Sequence, residues 1–241
     1  ENIDTPTVSD TAITSASMRS STPAYSPFLL PLAILLAGVL ISATLLYTRG
    51  TAGPTKPKLK IEKNDIVLGN PRAKAIVYEY TDFQCPFCRK FFVETWPQLK
   101  QEYIDTGKVR FVIRQYPLEF HPMAAPAAQA SECAQEQGKF LEFHDAVFNG
   151  QVQKDSQKFS KTIMFTQNDL TQWETTAGLD LTALNTCLVS KKFEAKVKSD
   201  QDTGAGLGVR GTPSFFIGET FIEGAYPFAT YQDAIEKLLA K

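Results

Sequence analysis

The sequence predicts an α/β fold with an all-helical block inserted in it, preceded by one apolar helix. Three observations carry that expectation. Short β-branched and aromatic runs at 61–68, 75–82 and 109–113 are separated by a stretch of helical period. From Pro122 to about Asp202 the pattern is helical throughout, and strands return only at 214–217 and 220–223. Upstream, 28–47 holds 20 residues without a single charge.

The chain has 241 residues, 43% of them hydrophobic, enough for one domain of about 180 residues with its own core. A net charge of −1 argues against a nucleic-acid partner. The acidic residues are scattered without ligand spacing, so no metal is expected, and no cofactor.

Residues 1–27 are rich in Ser, Thr and Ala and poor in large apolar residues, so they are expected to be disordered. The 28–47 stretch matches one pass through a hydrocarbon layer of about 30 Å. A signal-peptide core is shorter and follows basic residues, whereas only Arg19 precedes this one. It is therefore expected to remain as an anchor. Arg49, Lys56, Lys58, Lys60 and Lys63 follow it, which by the positive-inside rule would place the domain in the cytoplasm. The cysteine chemistry points to the opposite side and is given precedence.

A linker is expected at 48–59, then an edge strand at 61–68 closed by Gly69-Asn70-Pro71. Strand 75–82 leads into a helix that Pro97 should kink rather than stop, since Leu99, Tyr103 and Ile104 continue its apolar face. Gly107 is its expected C-cap, and a strand follows at 109–113. The helical block, about 122–203, has its last helices at 168–177, 180–190 and 191–203. A hairpin turning at Gly218-Glu219 and a final helix at 228–239 complete the domain. Aromatic stripes such as Phe140, Phe143 and Phe148 are read as core.

The chemistry concentrates in Glu79-Tyr80-Thr81-Asp82-Phe83-Gln84-Cys85-Pro86-Phe87-Cys88. Cys85 falls at a helix N-cap and Pro86 at the first helical position, where a missing N–H costs nothing. Free N–H groups and the helix dipole stabilise an anion there, so the Cys85 thiol should be acidic. Cys88 lies one turn further in, able to close a disulfide. Cys85 is expected to be exposed and Cys88 buried. Asp82 reads as a solvated loop residue, and His121 and His144 as structural. Cys133 and Cys187 both fall on helical faces of the block, and their pairing in a structural disulfide is the favoured reading. Two free buried thiols, or a four-cysteine zinc site, are the alternatives.

This run resembles the active site of thioredoxin-fold disulfide oxidoreductases, most of all the DsbA-like branch with its membrane-anchored Gram-positive type. Tyr116-Pro117-Leu118, Glu132-Cys133-Ala134, Gly138-Lys139-Phe140, His144-Asp145 and the stretch Gly208-Val209-Arg210-Gly211-Thr212-Pro213-Ser214 match that branch too. The resemblance covers about 60–241. It implies a thioredoxin fold with a helical insert, and a cis bond between Thr212 and Pro213 facing the cysteines. It further implies a Glu79 carboxyl beneath the pair that assists proton transfer to Cys88, and redox tuning by Pro86 and Phe87. Phe87 stands where the strongest oxidases of the family carry histidine, which lowers the expected oxidising strength. The expected function is an extracytoplasmic, single-pass oxidoreductase donating disulfides to secreted or surface proteins, re-oxidised by a membrane partner of the DsbB or vitamin-K-epoxide-reductase type. A reductase or isomerase is the alternative in the same chemistry, and a thioredoxin-fold binding or chaperone module the alternative outside it.

Overall fold

A computed structural model describes residues 29–49, 59–154, 159 and 161–240. The disordered segment expected at 1–27 and most of the linker expected at 48–59 lie outside the described residues. The chain divides into two units, 1–55 and 56–241. In the first, helix α1 (Leu29–Arg49) covers the expected apolar stretch. Ile34, Leu35, Leu36, Val39, Leu40 and Ile41 on it are exposed. Among the described residues, no helix is long and apolar enough to cross a membrane.

The second unit is built on five strands: β1 (Ile66–Gly69), β2 (Ala75–Thr81), β3 (Val109–Gln115), β4 (Ser214–Ile217) and β5 (Thr220–Glu223). Their order is β1-β3-β2-β4-β5, with β2 and β3 parallel and every other pairing antiparallel. The parallel pair is central and mostly buried, but it carries polar side chains as well, Glu79 and Thr81 on β2 and Arg110, Arg114 and Gln115 on β3. The first strand is shorter than expected. Asp65 N–H donates to the Glu62 carbonyl at 3.1 Å, and Glu62 N–H to the Asp65 carboxylate at 2.8 Å. That turn occupies the residues before Ile66, and Asp65 is further held by Arg114 at 2.9 Å.

Helix α2 (Pro86–Glu94) leaves β2 through the cysteine motif. Pro97 does more than kink it. The helix breaks at Thr95, resumes as α3 (Trp96–Leu99) and ends in a π-helical turn, Lys100–Ile104. Pro97 has no N–H to continue the ladder, and Thr95 Oγ1 is drawn off to the Tyr226 carbonyl at 2.9 Å. Phe91, Phe215 and Tyr231 meet on this face of the sheet, with ring centroids 4.7–5.3 Å apart. Tyr231 comes from the last helix, α9 (Phe228–Leu239).

The insert holds α4 (Ala124–Glu136), α5 (Phe140–Lys154), α6 (Gln167–Thr176), α7 (Leu181–Val189) and α8 (Glu194–Leu207). The helical pattern is not continuous: 161–166 is irregular, and its backbone reaches back to the active site. The helix expected at 191–203 starts later and runs on to Gly208, whose φ of 97° supplies the left-handed C-cap. Cys133 on α4 and Cys187 on α7 are bridged, with Cα atoms 6.1 Å apart. Gly204 lets α8 lie close on the other face of the sheet, since a Cβ there would meet the Tyr80 ring at 2.8 Å.

Candidate active site

Cys85 caps α2 in extended backbone geometry (φ −72°, ψ 126°), with Pro86 in the first turn. Its position follows from the local sequence: β2 ends at Thr81, the Cys85 N–H donates to the Asp82 carbonyl at 3.1 Å, and the chain turns into the helix. Both active-site thiols are free. Contrary to the expected exposure, Cys85 is only 3% accessible. The Thr212 carbonyl covers it, accepting from Sγ at 3.2 Å. Phe87 beside it is the open residue, 51% exposed.

The two thiols are driven apart in acidity. Cys85 is lowered to about 6, first by the hydrogen bond from Cys88, against burial, with smaller help from Thr212 and the Cys88 backbone. Cys88 is raised well above 9, first by burial, then by the hydrogen bond it gives to Cys85 and by the Cys85 charge. A pair in which one sulfur ionises and the other holds its proton can exchange disulfides in two ordered steps.

The Thr212–Pro213 bond is cis. The Pro213 carbonyl accepts from Gly224 N–H at 2.8 Å, and Ser214 Oγ donates to the Gly211 carbonyl at 2.8 Å, which fixes this loop against the hairpin. Glu79 points to the same side of the sheet as Val77, opposite Phe215 on β4. It is 2% exposed, and burial pushes its carboxyl up to about 8, with the nearby Thr81 hydroxyl opposing. Its charge would push both Cys88 and Tyr231 upward, so it lies within electrostatic reach of the buried thiol.

Asp82 is not solvated. Its Oδ1 accepts from Gln84 N–H at 2.7 Å, and its Oδ2 from Leu118 N–H at 2.9 Å. His121 Nδ1 lies 2.7 Å from Oδ2, and the Asp82 N–H donates to Cys88 Sγ at 3.4 Å. His121 therefore belongs to the site rather than only to the scaffold. His144 does not: it lies among the rings of Phe83, Phe92, Trp96, Phe140 and Phe148. Gln84, which sequence reasoning passed over, is fully buried and braces two loops. Its Nε2 donates to the Ile163 carbonyl at 3.1 Å, and its Oε1 accepts from Met123 N–H at 2.8 Å. The Asp82-to-Gln84 bond is an Asx turn, the one signal in the sequence that pointed to a structured carboxylate. Among the described residues, no group of His, Cys, Asp and Glu is arranged to hold a metal ion.

Comparison with known proteins fits this geometry. The thioredoxin family profile matches residues 62–237. A Rickettsia prowazekii protein named for protein-disulfide oxidoreductase activity is 31% identical over 187 residues, 77% of this chain and 65% of that protein. The chain thus spans about two thirds of that relative's length. A Bacillus anthracis protein named for disulfide bond formation (protein D) is 30% identical over 72% of this chain and 78% of its own. The crystal structure of α-DsbA1 from Wolbachia pipientis superposes with a TM-score of 0.64 at 27% identity, over 76% of this chain and 94% of that one. The chain belongs to the thioredoxin family, within its DsbA-like branch.

Proposed function

We propose that the chain is an extracytoplasmic thiol–disulfide oxidoreductase that acts as an oxidase, passing a Cys85–Cys88 disulfide to cysteines of secreted or surface polypeptides. The observation that carries this reading is the opposed acidity of the two thiols, with Cys85 at about 6 and Cys88 well above 9. A stabilised Cys85 thiolate favours the reduced pair, and so makes its disulfide a stronger oxidant.

In the forward step a substrate thiolate attacks Cys85 Sγ. The Cys85–Cys88 bond breaks, a mixed disulfide forms, and Cys88 leaves with the electron pair and takes up a proton. Glu79, protonated at neutral pH, is the proton source beneath it. A second substrate thiolate then attacks the substrate sulfur of the mixed disulfide, and Cys85 departs as thiolate. The substrate has lost two electrons and two protons, and the enzyme has gained the electrons. Oxidation of Cys85 also removes the donor to the Thr212 carbonyl, which frees that oxygen to pair with an extended substrate segment. Re-oxidation passes the electrons to a membrane partner of the DsbB or vitamin-K-epoxide-reductase type, and 28–47 anchors the domain beside it. One observation favours the reductase or isomerase reading: Phe87 offers the thiolate neither charge nor hydrogen bond.

Mixing the oxidised protein with reduced, unfolded ribonuclease tests the oxidase reading. Stoichiometric recovery of disulfides and ribonuclease activity is expected, and none with Cys85→Ser. No transfer by the parent protein would end the proposal. For the anchor, protease added to intact cells is expected to cleave beyond residue 60; protection until lysis contradicts the orientation.

A further inference from the structure

The active-site turn carries a buried pair that the exchange steps do not use. Asp82 and His121 are 1% and 5% exposed, and their side chains meet at 2.7 Å. The carboxylate accepts from two backbone N–H groups as well, so its surroundings are those of an anion. His121 Nε2 lies 3.3 Å from Thr162 Oγ1, a hydroxyl that serves a charged or a neutral ring equally. The same Asp82 donates its N–H to Cys88 Sγ. A bare carboxylate here would oppose a thiolate, and Asp82 does press both thiols toward the protonated form.

We propose that His121 is a positioning residue that, held on Asp82, brings to Cys85 from a separate loop the positive charge that Phe87 does not supply within the motif. This rests on Cys85 being the reactive thiolate. The imidazolium is favoured by Asp82 and by the Cys85 charge, which together outweigh its burial. Two charged groups act on it, Asp82 and Cys85, both on the active-site turn. Of these, Asp82 is bonded to it.

Because the coupling is reciprocal, oxidation of the cysteine pair, which abolishes the thiolate, must lower the affinity of His121 for its proton. The chain has two histidines, so ring-proton NMR titration of the parent protein separates them. His121 is expected to titrate about half a pH unit or more higher in the reduced than in the disulfide form. In reduced Cys85→Ser, the His121 midpoint is expected to fall to the value of the disulfide form. His121→Gln is expected to raise the Cys85 thiolate pKa by a similar amount, about threefold in the ionisation constant. Adding Asp82→Asn should return it toward the parent value, a rescue that a merely structural role for the pair would not give. Equal His121 midpoints in the two redox states, in protein that still oxidises ribonuclease, overturn the proposal and leave the exchange reading standing.

Discussion

Cys85 and Cys88 are the same residue one helical turn apart, and what separates them is which sulfur donates. Cys88 gives its hydrogen bond to Cys85 and is pushed upward by its own burial. Replacing Cys88 with Ala is therefore expected to raise the Cys85 pKa from about 6, whereas Ser, which still donates, should raise it less. Thiolate absorbance against pH measures both. The depressed Cys85 pKa also carries a stability term. A group ionised more readily when folded stabilises above its unfolded pKa of about 8.5, and that stabilisation is lost as pH falls through 6. At pH 7 it contributes about 1 kcal/mol to the reduced form and nothing to the disulfide form. Glu79 has the opposite sign. Its carboxyl is raised to about 8, so the folded state holds a proton that the unfolded chain releases near 4.5, and stability falls as pH rises between these values. Glu79→Gln is expected to stabilise the protein by about 3 kcal/mol at pH 7 and flatten its pH dependence. It should slow the release of Cys88. Denaturant melts at pH 5 and 8 check the first point, and ribonuclease oxidation rates the second. The cysteines were legible because an N-cap is a local matter. Asp82, Gln84 and His121 were not, since their partners on other segments lie 36 to 79 residues away in sequence.

At the scale of elements, the helical period located α4 to α8 but not the break between α5 and α6. The 161–166 segment is held by contacts to the active-site turn that no local pattern encodes: Gln84 to Ile163, and Arg89 Nη2 to the Lys161 carbonyl at 3.2 Å. The π-helical turn after Pro97 was invisible for a related reason, since it depends on where Thr95 finds its acceptor. The Cys133–Cys187 bridge closes a loop of 54 residues. Its removal by Cys133→Ser is expected to cost about 4 kcal/mol in the chain-entropy model, read as a lower denaturation midpoint. Ribonuclease oxidation by the folded fraction should persist. Gly150 on α5 has a sharper constraint: a Cβ there would lie 2.0 Å from Trp173 Nε1 on α6. Gly150→Ala is expected to destabilise by about 2 kcal/mol or more, because neither helix can retreat without uncovering the core. An unchanged melting curve would show that α6 is not packed against that position.

On the scale of the domain, sheet and insert form one arrangement around the motif. The sheet supplies Glu79 from β2 and the Thr212–Pro213 loop before β4, α2 supplies the thiols, and the insert with its flanking loops supplies the cover. The strands along the chain were legible in short β-branched and aromatic runs, whereas their order in the sheet and the sides from which cover arrives were not. The central claim is that Cys85–Cys88 is a disulfide poised to oxidise. Equilibration of the pair with glutathione at pH 7 measures that poise directly. A reduction potential of about −180 mV or higher is expected, the range of oxidising dithiol proteins. A value near −270 mV, that of a thioredoxin-type reductant, would contradict it.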